Sequence, residues 1–375
     1  MRQPRRIVFT GDIFRVAPER VRPTQSQNIL WLFRLLRQQI RIATRLEPEV
    51  VVWPTDITHE TALSPTTIPT FYAMMGLQPS MDGWAALHDR ATLPDIVEGW
   101  LGALFDDALV IGFEIPPVLR RFFDRSGIEW IDLVIHPVRF LDDIFFALAT
   151  SSAAMRLTAE SFLLSADFLF TMAGLQSAAA GRGYTPPVPP DSALVLFQVR
   201  DDKTQISEGR FVGMQHFMPE LALLNGAHRA LLLKPHPMDA DNPGYLATDM
   251  AFPEAKSVSD NFYKLLSTDH IRTVVSLSSS TSVEASYFGK RSTFLLRSPY
   301  RMVSLGDTGP DAYMDLDWSL LSADFWRVML GNHMPCTPLD GVGVPFKPNR
   351  LRIALSAFWN FNQIDTDIAV AAHRG

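Results

Sequence analysis

The chain has 375 residues, 47% hydrophobic and 20% charged, so it can bury a large core and is not a disordered polypeptide. Its 34 Lys and Arg stand against 40 Asp and Glu, a formal charge of −6, which argues against a general nucleic-acid binder, because such a protein needs a broad basic surface. A single cysteine, Cys336, excludes an internal disulfide framework and a cysteine-rich zinc site, and is compatible with the cytoplasm.

Residues 7–10, Ile-Val-Phe-Thr, stop at Gly11-Asp12 and predict a first strand. Basic residues precede them, but no long apolar stretch follows, so no secretory leader is expected. Residues 28–46 have the spacing of a helix. On it Arg34, Arg37, Arg41 and Arg45 form a cationic stripe opposite Leu32, Leu35, Leu36 and Ile40. Such a stripe is either a solvated face or a surface for an acidic glycan or for anionic lipid at the inner face of the cytoplasmic membrane. Strands are predicted over 50–53, 108–113 and 131–135, with a helix over 116–125 that has proline in its first turn and Gly127 past its end. Residues 140–174 read as largely helical. The apolar run 131–148 is broken by His136, Arg139, Asp142 and Asp143, so it is no membrane span.

Residues 178–191 contain Pro186-Pro-Val-Pro-Pro190, too dense in proline for a helix or central strand, and predict a connector between two units, 1–180 and 191–345. The alternation then restarts. Strands are expected over 193–199, 230–234, 273–277 and 293–296, and helices over 261–267, 283–288 and 349–361. Alternating strands and helices predict an α/β fold with parallel sheets covered by helices, here two Rossmann-like units facing a cleft.

Four segments can carry chemistry. Ser278, Ser279 and Ser280 lie between a strand and a helix, where unpaired first-turn N–H groups and the helix dipole favour an anion; capping by one serine is the plainer alternative. Glu284, in the first turn that follows, is either a helix-terminus charge or an acceptor for a sugar hydroxyl. Lys234-Pro235-His236-Pro237 holds an imidazole in an extended turn at a strand's carboxyl end, either structural or a phosphate donor. Gln198 precedes Asp201-Asp202, which start a turn or act as base, nucleophile or metal ligand. Glu114, at the carboxyl edge of the facing sheet, is a helix N-terminal acid or a general base. Asp315-Leu316-Asp317 matches a D-x-D pattern but precedes a helix start, which favours capping.

Taken in order, Gln198-Val-Arg-Asp201-Asp202, Lys234-Pro-His236-Pro237, Ser278-Ser279, Glu284-Ala285 and Gly289-Lys290 resemble the capsule polysaccharide biosynthesis superfamily, which includes bacterial retaining β-Kdo transferases. The resemblance spans 198–290, and Asn349-Arg-Leu-Arg352 with Trp359 looks like the family's closing helix. It implies a GT-B-like architecture in which 346–375 returns to the N-terminal, acceptor-binding unit. It implies Kdo transfer from CMP-β-Kdo to a hydroxyl of a capsule or lipopolysaccharide glycan, with no cofactor and no metal. His236 and Ser278-Ser279 would then hold the CMP phosphate, Glu284 the ribose, and Asp202, or else Asp201, would be the essential aspartate. The alternatives are a CMP-sialic acid-dependent transferase, which shares the His-Pro and Ser-Ser elements, and a non-catalytic glycan or sugar-nucleotide binder.

Overall fold

The computed structural model, described over residues 4–16, 25–53, 63–64, 66–182, 185–343, 347 and 351, divides its strands between two sheets and a small hairpin. The first unit runs β1 (Arg6–Gly11), α1 (Gln25–Thr44), β2 (Glu49–Val50), α2 (Thr67–Met74), α3 (Met81–His88) and α4 (Asp95–Phe105). It continues with β3 (Ala108–Phe113), α5 (Pro117–Ser126), β4 (Trp130–Ile135), β5 (Phe146–Thr150), α6 (Ala153–Ala159) and α7 (Ala166–Ala180). The second runs β6 (Ser192–Leu196), the hairpin β7 (Ile206–Ser207) and β8 (Arg210–Phe211), α8 (Met218–Ala227), β9 (Ala230–Lys234) and α9 (Pro243–Ala251). After these come β10 (Lys256–Ser257), α10 (Phe262–Leu266), β11 (Ile271–Ser276), α11 (Ser280–Tyr287) and β12 (Arg291–Phe294). The chain then returns to the first unit with β13 (Met314–Leu316) and α12 (Ala323–Leu330).

The second sheet, β10-β9-β6-β11-β12, is parallel throughout, and the first, β13-β5-β4-β3-β1-β2, is parallel from β4 to β2. β3 and β4 are buried along their whole length, which is why they read as nearly continuous apolar runs. The α1 stripe Ile29, Leu32, Phe33, Leu36 and Ile40 is buried as its spacing requires. α5 begins at Pro116-Pro117 and ends where Gly127 takes φ 67°, a left-handed conformation that glycine adopts without a Cβ clash. No described helix is long and apolar enough to cross a membrane. Arg34, Arg37 and Arg41 are exposed on α1, and Glu47 pairs with both Arg37 and Arg41. Arg45 lies just past the helix at φ 61°.

The structure corrects three expectations. Residues 140–174 are helical only from Ala153 onward: Ile144 to Ala149 form a continuous buried run, and period alone cannot tell such a run from a helix, so β5 emerges there, antiparallel to β4. The strand expected over 193–199 ends at Leu196. Arg200, by amide and guanidinium, is drawn to Asp239 instead, and the chain turns. Assigning all of 191–345 to the second unit also fails, because β13 pairs with β5 in the first sheet and α12 packs on α1 and α6. The helix over 349–361 falls outside the described residues except Leu351, whose amide donates to Asp143.

The return segment is pinned by two buried polar clusters. Asp132 accepts from Ile115 N (2.7 Å), from the Tyr313 hydroxyl (2.7 Å) and from Arg120, whose guanidinium also lies over the Trp130 ring. Asp315 accepts from the Ser304 hydroxyl (2.7 Å) and pairs with His136 Nε2 (2.7 Å). His136 Nδ1 accepts from Val138 N, so the ring proton belongs on Nε2 and points at Asp315. Asp317, as expected, caps the following turn by accepting from Ser319 N.

Candidate functional site

Strands β9, β6 and β11 are neighbours, so their carboxyl ends bring three distant segments to one edge of the second sheet. Ligands bind at this edge in open α/β sheets. Gln198 ties two of the segments together: its Oε1 accepts from Ser278 N (2.9 Å) and its Nε2 donates to Thr204 Oγ1 (2.9 Å). The Ser278 hydroxyl donates to the same Thr204 oxygen (2.9 Å). Gln198 is 6% exposed and Ser278 is fully buried, so both act here as struts beneath the surface of the site.

Asp202 accepts from Thr204 N (3.0 Å) and Thr204 Oγ1 (2.9 Å) and caps the short turn 203–205. It therefore sits beside Gln198 and Ser278, while Asp201 is exposed. The two-residue alternation of a strand does not separate the two aspartates, since neither lies on a strand. The loop is braced from below. Arg200 N and Nε donate to Asp239, and Asn242 Nδ2 donates to both Asp239 (2.9 Å) and the Gln198 carbonyl (3.0 Å). Burial alone would raise the Asp239 pKa, but Arg200 and Asn242 hold it below the usual carboxylate value.

α11 starts at Ser280 because Ser279, in extended conformation, accepts from Thr281 N (3.3 Å), while Ser279 N donates to Ser276 Oγ (3.1 Å). Capping by one serine is thus present, and the helix N-terminus faces the same edge as Asp202. His236 follows β9 in a tight turn whose Met238 N donates to Nδ1 (3.1 Å), leaving Nε2 as the donor nitrogen. Pro237, like His236, is half-buried. Lys234 is bent away and donates to the Asp260 carbonyl (2.6 Å).

The first unit supplies Glu114, which follows β3 at φ 54° and accepts from Lys203 Nζ (2.5 Å). Lys203 directly follows Asp202, so this pair ties Glu114 to the turn that Asp202 caps. The hairpin strengthens it: Glu208 and Gly209 both take positive φ, the two-residue turn that a right-handed β-ribbon favours, and Phe211 lies 6.0 Å from the Trp84 ring of α3. Asp12, at the end of β1, accepts from Trp84 Nε1 (2.8 Å).

Glu284, expected at a ribose, is 1% exposed and accepts from Arg139 N (2.5 Å) and the Tyr263 hydroxyl (2.8 Å). It joins the two units. Burial pushes its pKa from 4.5 to about 7, against the pull of those hydrogen bonds. The folded chain thus keeps a proton here that the unfolded chain loses between about pH 4.5 and 7. The stability from this group is full below 4.5 and falls as pH rises through the window, by on the order of 3 kcal/mol. Glu284→Gln cannot ionise and should gain on the wild type by about that amount between pH 4.5 and 8 in urea titrations. Parallel stability curves for the two proteins would show that the side chain ionises freely.

The sequence alone did not point to Lys203, Thr204, Asp239, Arg139 or Tyr263, because their roles depend on turns and on contacts between units. Asn242-Pro243 did carry a signal: it is a helix-start pair, with Asn at the cap and Pro at the first position. Among the described residues, no three or more His, Cys, Asp or Glu converge as a metal-holding group.

No protein-family model matches the chain, and no curated protein matches it. Among solved structures it is similar to the Thermosulfurimonas dismutans KpsC beta Kdo 2,7 transferase, with TM-score 0.33 and 15% identity over 64% of this chain and 81% of that one. It is also similar to the Thermosulfurimonas dismutans KpsC beta Kdo 2,4 transferase, with TM-score 0.31 and 17% identity over 49% of this chain and 67% of that one.

Proposed function

We propose that the chain is a retaining glycosyltransferase that moves Kdo from CMP-β-Kdo to a hydroxyl of a bacterial surface glycan. The observation that carries this reading is the gathering of Gln198, Asp202, His236 and Ser278–Ser280 at one carboxyl edge, with Glu114 facing them from the other unit. A single leaving phosphate needs donors, and His236 Nε2 and the α11 N-terminus supply them without a metal. Asp202 Oδ attacks the anomeric carbon, whose bond to the phosphate oxygen breaks, and CMP leaves with the electron pair. The acceptor oxygen then displaces Asp202 from that carbon, and its proton passes to Glu114. Two inversions give net retention. A non-catalytic binder has no use for a carboxylate beside an anionic donor, which disfavours that alternative.

Donor profiling tests the assignment. Incubated with glycan acceptors and either CMP-Kdo or CMP-sialic acid, the protein should release CMP and extend the acceptor with CMP-Kdo only, and chelator should leave the rate unchanged. Turnover of CMP-sialic acid alone would replace Kdo as the donor sugar. Turnover of neither, with CMP still bound, would make the chain a binding module.

A further inference from the structure

At the opposite, amino edge of the second sheet, Asp191, His228, Arg272, Thr273, Gly289 and Arg291 line an open cavity of about 500 Å³, a size typical of small-molecule sites. β11 is irregular there. Ile271 pairs with Ser192 and Thr273 with the next residue, Ala193, so Arg272 is the extra residue of a bulge and is exposed. Bulges of this kind re-aim a side chain. Arg291 opens β12 in register with Thr273 and is exposed beside it.

Two other charged groups of this rim, Asp191 and Lys290, already have partners. Asp191, at φ 58°, meets His228 Nδ1 at 3.0 Å, and its carbonyl accepts from Arg229 N (3.0 Å). Lys290 donates to the Thr268 carbonyl (2.8 Å). Burial lowers its pKa, Asp269 opposes this, and Arg272 adds to the lowering, so cations crowd one another here. Among the described residues, the Arg272 and Arg291 guanidiniums have no hydrogen-bond or ion-pair partner. A β-carbon on Gly289 would meet nothing within 4 Å, so the floor is open.

We propose that this cavity binds a phosphomonoester, with Arg272 and Arg291 on its dianionic head and the organic group lying in the cavity beside Thr273 and Gly289. Two planar guanidinium forks match a dianion with three terminal oxygens, whereas a carboxylate is satisfied by one. The site lies across the sheet from Asp202 and His236 and does not depend on the glycosyltransferase reading.

Backbone-amide NMR of the full chain, titrated with inorganic phosphate, tests it. Saturable shifts are expected at Arg272, Thr273, Gly289 and Arg291, with affinity falling about tenfold in Arg272→Ala and in Arg291→Ala. Arg272→Lys keeps the charge but loses the fork; its intermediate affinity serves where an alanine variant folds poorly. Tighter binding of glucose 6-phosphate than of phosphate would identify a soluble ester. Co-sedimentation with phosphatidic acid vesicles, lost in Arg272→Ala, would identify a lipid headgroup. No saturable shift at these residues, or shifts that survive both alanine substitutions, would overturn the proposal.

Discussion

Asp202→Asn should bind CMP as the wild type does and lose Kdo transfer by about a thousandfold or more. The amide is nearly isosteric. Its oxygen can still accept from Thr204 N and Thr204 Oγ1, so the turn 203–205 keeps its cap. What is lost is the anionic oxygen that, in the proposed reaction, approaches the anomeric carbon; removing one stabilising group at developing charge alone costs on the order of 3 kcal/mol, and a missing nucleophile costs more. Calorimetry with CMP and a coupled assay of CMP release separate the two effects. Asp201→Asn should be mild, because Asp201 is exposed and outside the Gln198–Thr204–Ser278 network. An inactive Asp201→Asn beside an active Asp202→Asn would transfer the role to Asp201.

Asp132→Ala should destabilise the chain by about 3–5 kcal/mol, the usual consequence of leaving a buried charge without its partner. Asp132 is fully buried, and the Arg120 side chain is 17% exposed. Truncation strands that guanidinium, the Ile115 amide and the Tyr313 hydroxyl together. Tyr313 directly precedes β13, so the loss also loosens the return of the chain to the first sheet. Asp132→Asn restores an acceptor without the charge and should fall between the two. Urea unfolding reads both; a loss under about 1 kcal/mol for the alanine variant would mean that water reaches Arg120.

The central strands were legible because each carries a continuous apolar run bounded by Gly, Pro or charge, as Ala108–Phe113 does before Glu114 and Pro116. The gathering of Gln198, His236 and Ser278 was legible for the same reason: each lies two residues past the end of a parallel strand, and parallel strands put such residues on one edge. The strand over 146–150 was not, because its alternatives differ in partner rather than in period. Nor was the return of 314–330, which rests on the distant pairs Tyr313–Asp132 and Asp315–His136. Glu284 shows the limit most clearly. From the sequence it read as a helix-terminus charge or an acceptor for a sugar hydroxyl, but α11 starts at Ser280, which puts Glu284 past the first turn, and only the folded chain shows Arg139 and Tyr263 closing over it.

Intact-protein mass spectrometry after incubation with CMP-Kdo, in the absence of an acceptor, tests the central claim most directly. The account predicts a species heavier by one Kdo residue, absent in Asp202→Asn and placed on Asp202 by peptide mapping. An unmodified mass, from a protein that binds CMP-Kdo and turns it over once acceptor is added, would contradict a covalent step at Asp202.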